Sequence, residues 1–70
     1  MPALKLYTMD NCPWCDMLKK RLAHEGIVFV ENKDTAEILS HDFKTVPQLE
    51  IEPDVFVDFE GAIKWLNSRA

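Results

Sequence analysis

The sequence predicts an α/β domain in which a four-stranded mixed sheet is flanked by helices. Short apolar runs alternate with segments of helical periodicity, and the first three of these segments form a strand–helix–strand unit. Two further short runs on either side of a turn form the pattern of a hairpin. Because strands joined through a helix run parallel and those of a hairpin run antiparallel, the sheet is expected to be mixed. We expect the order β-α-β-α-β-β-α in a single domain over residues 1–70.

Length and composition limit the functions open to the chain. Seventy residues are enough for one small core, and a hydrophobic fraction of 47% is too high for a disordered chain. Eight basic and twelve acidic residues give a formal net charge of −4. An acidic chain without an extended basic cluster is a poor binder of nucleic acid or of an anionic membrane, so we expect neither as a partner.

The N-terminal residues lack the charged, apolar and small-residue sequence of a signal peptide. No apolar run approaches the length that spans a membrane. We therefore expect a cytoplasmic protein. We also expect it to be a monomer. In that compartment a pair of cysteines is more often catalytic or metal-binding than structural.

The first half of the chain supplies the predicted strand–helix–strand unit. Residues 4–8 are apolar or β-prone with a single charge, which predicts a largely buried strand. A helix is expected from Pro13 to Gly26, because apolar residues recur at helical spacing and glycine often ends a helix. The residues expected on its buried face are Trp14, Met17, Leu18, Leu22 and Ala23. Residues 27–30 are apolar and β-branched, which predicts a second buried strand.

A second, short helix is predicted after the polar residues 31–34. Asp34 followed three positions later by a glutamate is a helix-start signal, because such side chains accept hydrogen bonds from free backbone N–H groups. Ile38 and Leu39 are expected to face inward, and the helix is expected to end within residues 40–42.

The remainder of the chain is predicted to hold a hairpin and a last helix. Leu49 and Ile51 alternate with glutamates, which is the pattern of a strand with one exposed face. A turn at Pro53 leads to a short strand at residues 55–57, and Asp58 can cap the helix that follows. The apolar stripe of that helix is Phe59, Ala62, Ile63 and Leu66.

Both cysteines of the chain lie at the start of the first predicted helix, three positions apart. If Pro13 opens that helix, Cys12 falls near the N-cap, where unpaired backbone N–H groups favour a negative charge such as a thiolate. This predicts a redox site in which Cys12 is the attacking thiolate and Cys15, one helical turn on, resolves the mixed disulfide. A bridge between them would close too short a loop to add much stability, so its expected role is catalytic.

A zinc site is the alternative for such a pair. Zinc would need two more ligands, and the histidines of the chain, His24 and His41, lie too far apart for the usual ligand spacing. We therefore expect no metal, and we expect both histidines on the surface near helix ends.

Three runs occur in a fixed order and carry a resemblance to a known family. They are Leu6-Tyr7-Thr8, Cys12-Pro13-Trp14-Cys15 and Thr45-Val46-Pro47-Gln48. Together they resemble a glutaredoxin of the thioredoxin superfamily, of the dithiol CPWC type, and the small size is similar to that of bacterial or phage members. The resemblance extends from Leu4 to about Leu66 and implies a thioredoxin-like fold and a thiol–disulfide oxidoreductase. A CxxC pair alone is a weak signal, whereas CPWC after a strand with a later Thr-Val-Pro is specific.

The resemblance also implies roles for individual residues. It implies that Val46–Pro47 is a cis peptide bond beside the two sulfurs, and that the Val46 backbone pairs with a bound thiol substrate such as glutathione. Glutathione is then a co-substrate, with no tightly bound cofactor. An iron–sulfur cluster shared across a dimer, as in some relatives, is not expected because Pro13 crowds the site. The residues expected to bind glutathione or another substrate are Pro13, Trp14, Lys44, Thr45, Val46, Pro47, Asp58, Phe59 and Glu60.

The sequence departs from the family pattern at two places. Typical glutaredoxins carry a Gly-Gly pair and acidic residues at the start of the last helix. Here the pair is missing from residues 57–61, although Asp58 and Glu60 keep the acidic character. A basic residue usually precedes the CxxC loop, where this chain has Met9; Lys44 could instead meet the glycine carboxylate of glutathione.

Three functions follow from these observations. The favoured one is a glutaredoxin that reduces protein or glutathione mixed disulfides and is recharged by glutathione, as the CPWC and Thr-Val-Pro motifs and the acidic pair indicate. The second is an electron donor to ribonucleotide reductase that is recharged by thioredoxin reductase. The missing Gly-Gly pair, Met9 and Phe59 favour this alternative. The third is a non-catalytic metal-binding or interaction module.

Overall fold

The structure is a computed structural model that describes residues 3–41, 43 and 45–69. Its elements follow the predicted order of strands and helices. They are β1 (Leu4–Tyr7), α1 (Pro13–His24), β2 (Phe29–Asn32), α2 (Thr35–Ser40), β3 (Gln48–Glu52), β4 (Val55–Val57) and α3 (Phe59–Ser68).

The four strands form one mixed sheet in the order β2-β1-β3-β4. Strand β1 runs parallel to β2 and antiparallel to β3, which in turn is antiparallel to β4. The prediction of a mixed sheet is therefore confirmed, and β1 lies at its centre because it pairs on both sides. This strand order and these directions agree with the thioredoxin-like fold that the resemblance implies.

One face of the sheet carries the main core. Leu6 of β1 lies opposite Leu49 of β3, so both side chains point to the same face, and α1 and α3 cover them. The buried apolar residues of this core are Leu6, Leu18, Leu22, Leu49, Ala62 and Leu66.

The other face carries α2 and a cluster of aromatic rings. Tyr7 follows Leu6 in β1 and points to this opposite face, where its hydroxyl donates to Glu37 Oε1 of α2 at 3.3 Å. Three further rings surround it, those of His41, Phe43 and Phe56. Their centroids lie 5.3–6.0 Å from the centroid of the Tyr7 ring. The distances among these three centroids are 4.9–5.2 Å. Tyr7 is 1% exposed, so its ring is fully buried between the sheet and these rings. Burial first, and then the Glu37 carboxylate, raises the pKa of Tyr7 above its ordinary value.

The helix boundaries follow from local capping. Asp34 accepts hydrogen bonds from the N–H groups of the second and third residues of α2 at 3.0 and 3.3 Å, and Asp58 accepts one from Gly61 in α3 at 2.8 Å. At the other end of α1, Gly26 has a φ of 72°, a left-handed conformation that glycine adopts at no steric cost. The predicted caps and the predicted stop of α1 are therefore confirmed. Helix α2 ends at Ser40, while Asp42 lies outside the described residues.

The buried face of α1 is narrower than predicted. Cys15, Leu18 and Leu22 are buried, but Trp14 and Met17 are 55% and 54% exposed, and Ala23 is exposed as well. The buried positions follow an i, i+3, i+7 pattern, which is the stripe that a helix presents to one flat sheet. The two large side chains lie beside this stripe.

Strand β2 is shifted by two residues from its predicted position and is not fully buried. It spans Phe29–Asn32, and Val28 and Val30 are 73% and 58% exposed. The strand starts at Phe29 because its ladder with β1 begins there, where Phe29 lies opposite Leu4. Val30 is exposed because β2 is an edge strand that pairs only with β1, so little covers its outward residues. Glu31, expected in a polar loop, belongs to the strand.

Helix α2 has one buried apolar position instead of the predicted two. Ile38 is 7% exposed, whereas Leu39 is 71% exposed. A helix of six residues that lies on a sheet turns only one side toward it. Adjacent side chains on a helix point about 100° apart, so Leu39 points away when Ile38 faces the sheet. Leu39 is therefore an exposed apolar side chain.

Candidate active site

The two cysteines lie at the N-terminus of α1, as predicted. Cys12 is the N-cap, with an extended backbone (φ −116°, ψ 97°), and Pro13 is the first helical residue. The N–H of Cys15 donates to Cys12 Sγ at 3.1 Å. In the reduced protein this donor would stabilise a thiolate on Cys12, because a helix N-terminus favours negative charge.

The structure shows the oxidised pair. Cys12 and Cys15 are joined by a disulfide, with their Cα atoms 5.2 Å apart. Cys12 is partly exposed, while Cys15 is 1% exposed. A sulfur or thiol from another molecule therefore meets Cys12 first. This arrangement fits the predicted division into an attacking cysteine and a resolving one.

The loop before Cys12 is shaped by a left-handed residue and tied to the rest of the domain. Asn11 has a φ of 57°, a conformation that asparagine tolerates better than most residues. Asp10 pairs with Lys33 at 3.1 Å, which links this loop to the segment before α2. The loop thereby turns the chain from the end of β1 into α1.

The segment before β3 lies next to this loop. Val46–Pro47 is a cis peptide bond, as the family resemblance implies, and Pro47 is fully buried. Because Tyr7 pairs with Gln48 in the antiparallel ladder, Pro47 lies across from Thr8, the residue that leads into the cysteine loop. The side chain of Gln48 donates to the Thr45 carbonyl at 3.1 Å and holds this segment in place.

The start of α3 forms another side of the site. The ring of Trp14 meets that of Phe59 edge to face, with centroids 4.8 Å apart. Trp14 remains 55% exposed, so this aromatic pair offers an exposed apolar surface beside the cysteines. The sequence prediction that both would lie at the site is consistent with this contact.

The acidic residues of α3 have partners within the protein. The Asp58 carboxylate is the helix cap described above, and Glu60 pairs with Lys64 at 3.4 Å. A Cβ on Gly61 would lie 3.1 Å from Val57 Cβ, so close packing accounts for this glycine. Lys44, the remaining predicted binding residue, lies outside the described residues.

A polar network that was not predicted from the sequence lies next to the site. Glu31 Oε2 accepts hydrogen bonds from the Thr8 hydroxyl at 2.6 Å and from Lys19 Nζ at 3.0 Å. Lys19 also pairs with Asp16 at 3.4 Å. Lys19 follows Cys15 by one helical turn and lies on the same side of α1. This spacing is the one feature of the sequence that indicates a charged residue near the cysteines.

The network shifts the titration of its charged members. The Thr8 hydroxyl, and then Lys19, holds the pKa of Glu31 below its ordinary value. The hydrogen bond to Glu31 raises the pKa of Lys19 above its ordinary value. The network thus favours the charged forms of both groups.

Replacing Glu31 by glutamine is expected to lower the free energy of unfolding by roughly 1 kcal/mol near neutral pH. Because the pKa of Glu31 is lowered in the folded state, its contribution is present above the ordinary carboxyl pKa and is lost as pH falls through the folded value. The difference between Glu31→Gln and the parent protein should therefore shrink in acid, as pH falls below the ordinary carboxyl pKa and through the lowered pKa of Glu31.

Urea unfolding of both proteins at neutral and acid pH measures this effect. Glu52→Gln, which changes an exposed carboxylate on β3, is the matched control and should have little effect at either pH. An equal loss of stability in Glu31→Gln at both pH values would contradict the assigned role of the charge.

The fold and the paired cysteines define a class of protein. A thioredoxin-like sheet with two cysteines at the N-terminus of α1 is the framework of a thiol–disulfide oxidoreductase. The family model for glutaredoxins matches residues 4–57, which is most of the chain. The chain belongs to the glutaredoxin family. Comparison with curated proteins and with solved structures returns no match.

The matched region and two further findings bear on the partners of the site. The match stops at Val57, so the start of α3, with Asp58 and Phe59, lies beyond it. Within the described residues, no helix is long and apolar enough to cross a membrane. In the same part of the chain, no three histidine, cysteine or acidic side chains come together as a metal-binding group.

Proposed function

We propose that the protein reduces protein disulfides and glutathione mixed disulfides through the Cys12–Cys15 dithiol, with glutathione as its reductant. The observation that carries the proposal is the asymmetry of the two sulfurs. Cys12 is accessible and receives an N–H donor from the helix, whereas Cys15 is buried behind it. A cytoplasmic monomer is part of this proposal, because the cytoplasm maintains the glutathione that would recharge the enzyme.

The reaction begins with the Cys12 thiolate. It attacks one sulfur of the substrate disulfide, so that a new bond to Cys12 forms, the substrate S–S bond breaks and one substrate thiolate leaves. Cys15 then loses its proton and attacks Cys12 Sγ, which releases the second substrate thiol and leaves the Cys12–Cys15 disulfide. Two electrons pass from the enzyme to the substrate, and the leaving thiolates take up protons.

Two glutathione molecules would complete the cycle. The first attacks the enzyme disulfide at Cys12, the exposed sulfur, and frees the Cys15 thiol. The second attacks the sulfur of the first, which frees Cys12 and releases oxidised glutathione. The enzyme returns to its dithiol form with no net change.

A second candidate is an electron donor that thioredoxin reductase recharges and that serves a protein such as ribonucleotide reductase. Two observations favour it. Asp58 caps α3 and Glu60 pairs with Lys64, so the acidic residues expected to bind glutathione already have partners within the protein. The exposed Trp14 ring beside Phe59 is the kind of surface that contacts a protein partner.

An assay of NADPH consumption distinguishes the two candidates. The oxidised protein is mixed with NADPH and either glutathione plus glutathione reductase, or thioredoxin reductase alone, with a small disulfide as substrate. The proposal predicts that the glutathione system sustains turnover. If only thioredoxin reductase sustains it, the second candidate replaces the first. Cys12→Ser is the control for uncatalysed exchange.

A further inference from the structure

An apolar pocket lies beside the redox site and has no role in the chemistry described above. It has a volume of about 260 Å³. Three segments form it: the loop before α1, one side of α2 and the segment before β3. Its described lining residues are Met9, Thr35, Ile38, Leu39, Phe43, Thr45 and Val46. We refer to it as the Met9 pocket.

The Met9 pocket is continuous with the substrate side of the active site. Met9 belongs to the same loop as Cys12, three positions before it. Thr45 and Val46 directly precede Pro47, which the sheet register places across from Thr8. A chain whose cysteine is joined to Cys12 and which runs along Val46 therefore passes the mouth of the pocket.

The lining is apolar, and much of it is exposed to solvent. Met9 is 51% and Leu39 is 71% exposed. Polar side chains among the described lining residues are limited to the hydroxyls of Thr35 and Thr45, and none of these residues is charged. Water is therefore in contact with apolar side chains that a partner could cover.

The size and chemistry of the pocket select its occupant. Its volume is below the roughly 300–1,000 Å³ of pockets that hold drug-sized ligands, and it suits one large side chain. A carboxylate against Met9, Ile38 and Leu39 would lose hydration without gaining a partner among the described lining residues. A leucine, methionine or phenylalanine side chain has no charge whose hydration would be lost, and it buries apolar surface in the pocket.

We propose that the Met9 pocket binds a large apolar side chain next to the reactive cysteine of a protein disulfide, and so selects protein substrates by sequence. This inference rests on the proposed function, because it requires a substrate disulfide that reacts at Cys12. It specifies the substrate class of that same site. It also gives the exposed side chains of Met9 and Leu39 a shared role.

Two matched peptide disulfides test the proposal. Each carries one cysteine in disulfide linkage to a small reporter thiol, and the residue beside the cysteine is leucine in one peptide and aspartate in the other. The protein is expected to prefer the leucine peptide by about tenfold or more in kcat/KM, the scale of discrimination that an apolar pocket provides. Leu39→Ser and Met9→Ser should each reduce this preference several-fold. Leu39 is exposed, so its replacement leaves the fold intact.

Two controls separate failure of the pocket from failure of the enzyme. Val30→Ser changes an exposed apolar residue on β2, outside the pocket lining, and should keep the preference. A small symmetric disulfide, which has no side chain for the pocket, should react equally well with every variant. If it does react but the two peptides are reduced at equal rates, or Leu39→Ser keeps the full preference, the pocket proposal is wrong. If no disulfide is reduced at all, the proposed function itself fails, and this inference fails with it.

Discussion

A Cys12→Ser variant is expected to lose all catalysed disulfide exchange, while Cys15→Ser is expected to lose only part of it. Cys12 is the accessible sulfur, so without it no substrate disulfide can be attacked. Cys15 acts only after the mixed disulfide has formed. Cys15→Ser should therefore still exchange thiols with glutathione mixed disulfides, but it should no longer reduce protein disulfides by the dithiol route.

Steady-state rates on the two substrate types measure this difference. For Cys12→Ser both rates should fall to the uncatalysed background. For Cys15→Ser, mass spectrometry after reaction with a protein disulfide should find the substrate trapped on Cys12. Full activity of Cys15→Ser on protein disulfides would contradict its resolving role, and residual catalysis in Cys12→Ser would contradict the assignment of the nucleophile.

Replacing Leu18 by alanine is expected to destabilise the protein by about 2–5 kcal/mol. Leu18 is 0% exposed and lies in the core that α1 and α3 form against the sheet. The substitution removes buried apolar surface and leaves a cavity. Small domains are typically stable by only about 5 kcal/mol or somewhat more, so a large fraction of the variant should be unfolded near body temperature.

Leu39→Ala is the matched control, because it makes the same chemical change at a residue that is 71% exposed. Its cost should stay within about 0.5 kcal/mol. Urea unfolding followed by far-UV circular dichroism gives both values. Similar losses in the two variants would show that the described core does not dominate the stability of the domain.

Local signals in the sequence were enough to predict most of the fold. Asp34 and Asp58 cap α2 and α3, and Gly26 follows the end of α1, because each of these features depends on residues within one helical turn. The position of Cys12 at the N-cap follows in the same way from Pro13.

The burial of individual side chains was harder to predict, because it depends on what lies across the fold. Val28 and Val30 have the composition of a buried strand, but β2 is at the edge of the sheet. Tyr7 is buried because rings from the segments around His41 and Phe56 cover it. No local pattern encodes those contacts.

The candidate site likewise has parts that could be predicted from the sequence and parts that could not. The cysteine pair and the segment at Val46–Pro47 could be predicted, one from spacing and the other from family resemblance. The partners of Glu31 could not, because Thr8 and Lys19 come from a different strand and from a helix. The Met9 pocket could not be predicted from the sequence either, because its lining comes from three separate segments.

The reduction potential of the Cys12–Cys15 disulfide shows most directly whether the two cysteines form a catalytic or a structural pair. The protein is equilibrated with thiol–disulfide buffers of known potential, and the fraction of free thiols is measured after acid quenching and alkylation. A catalytic pair should show one two-electron transition between about −200 and −270 mV, the range of glutaredoxins and thioredoxin. A potential below about −300 mV, as structural disulfides have, would contradict it.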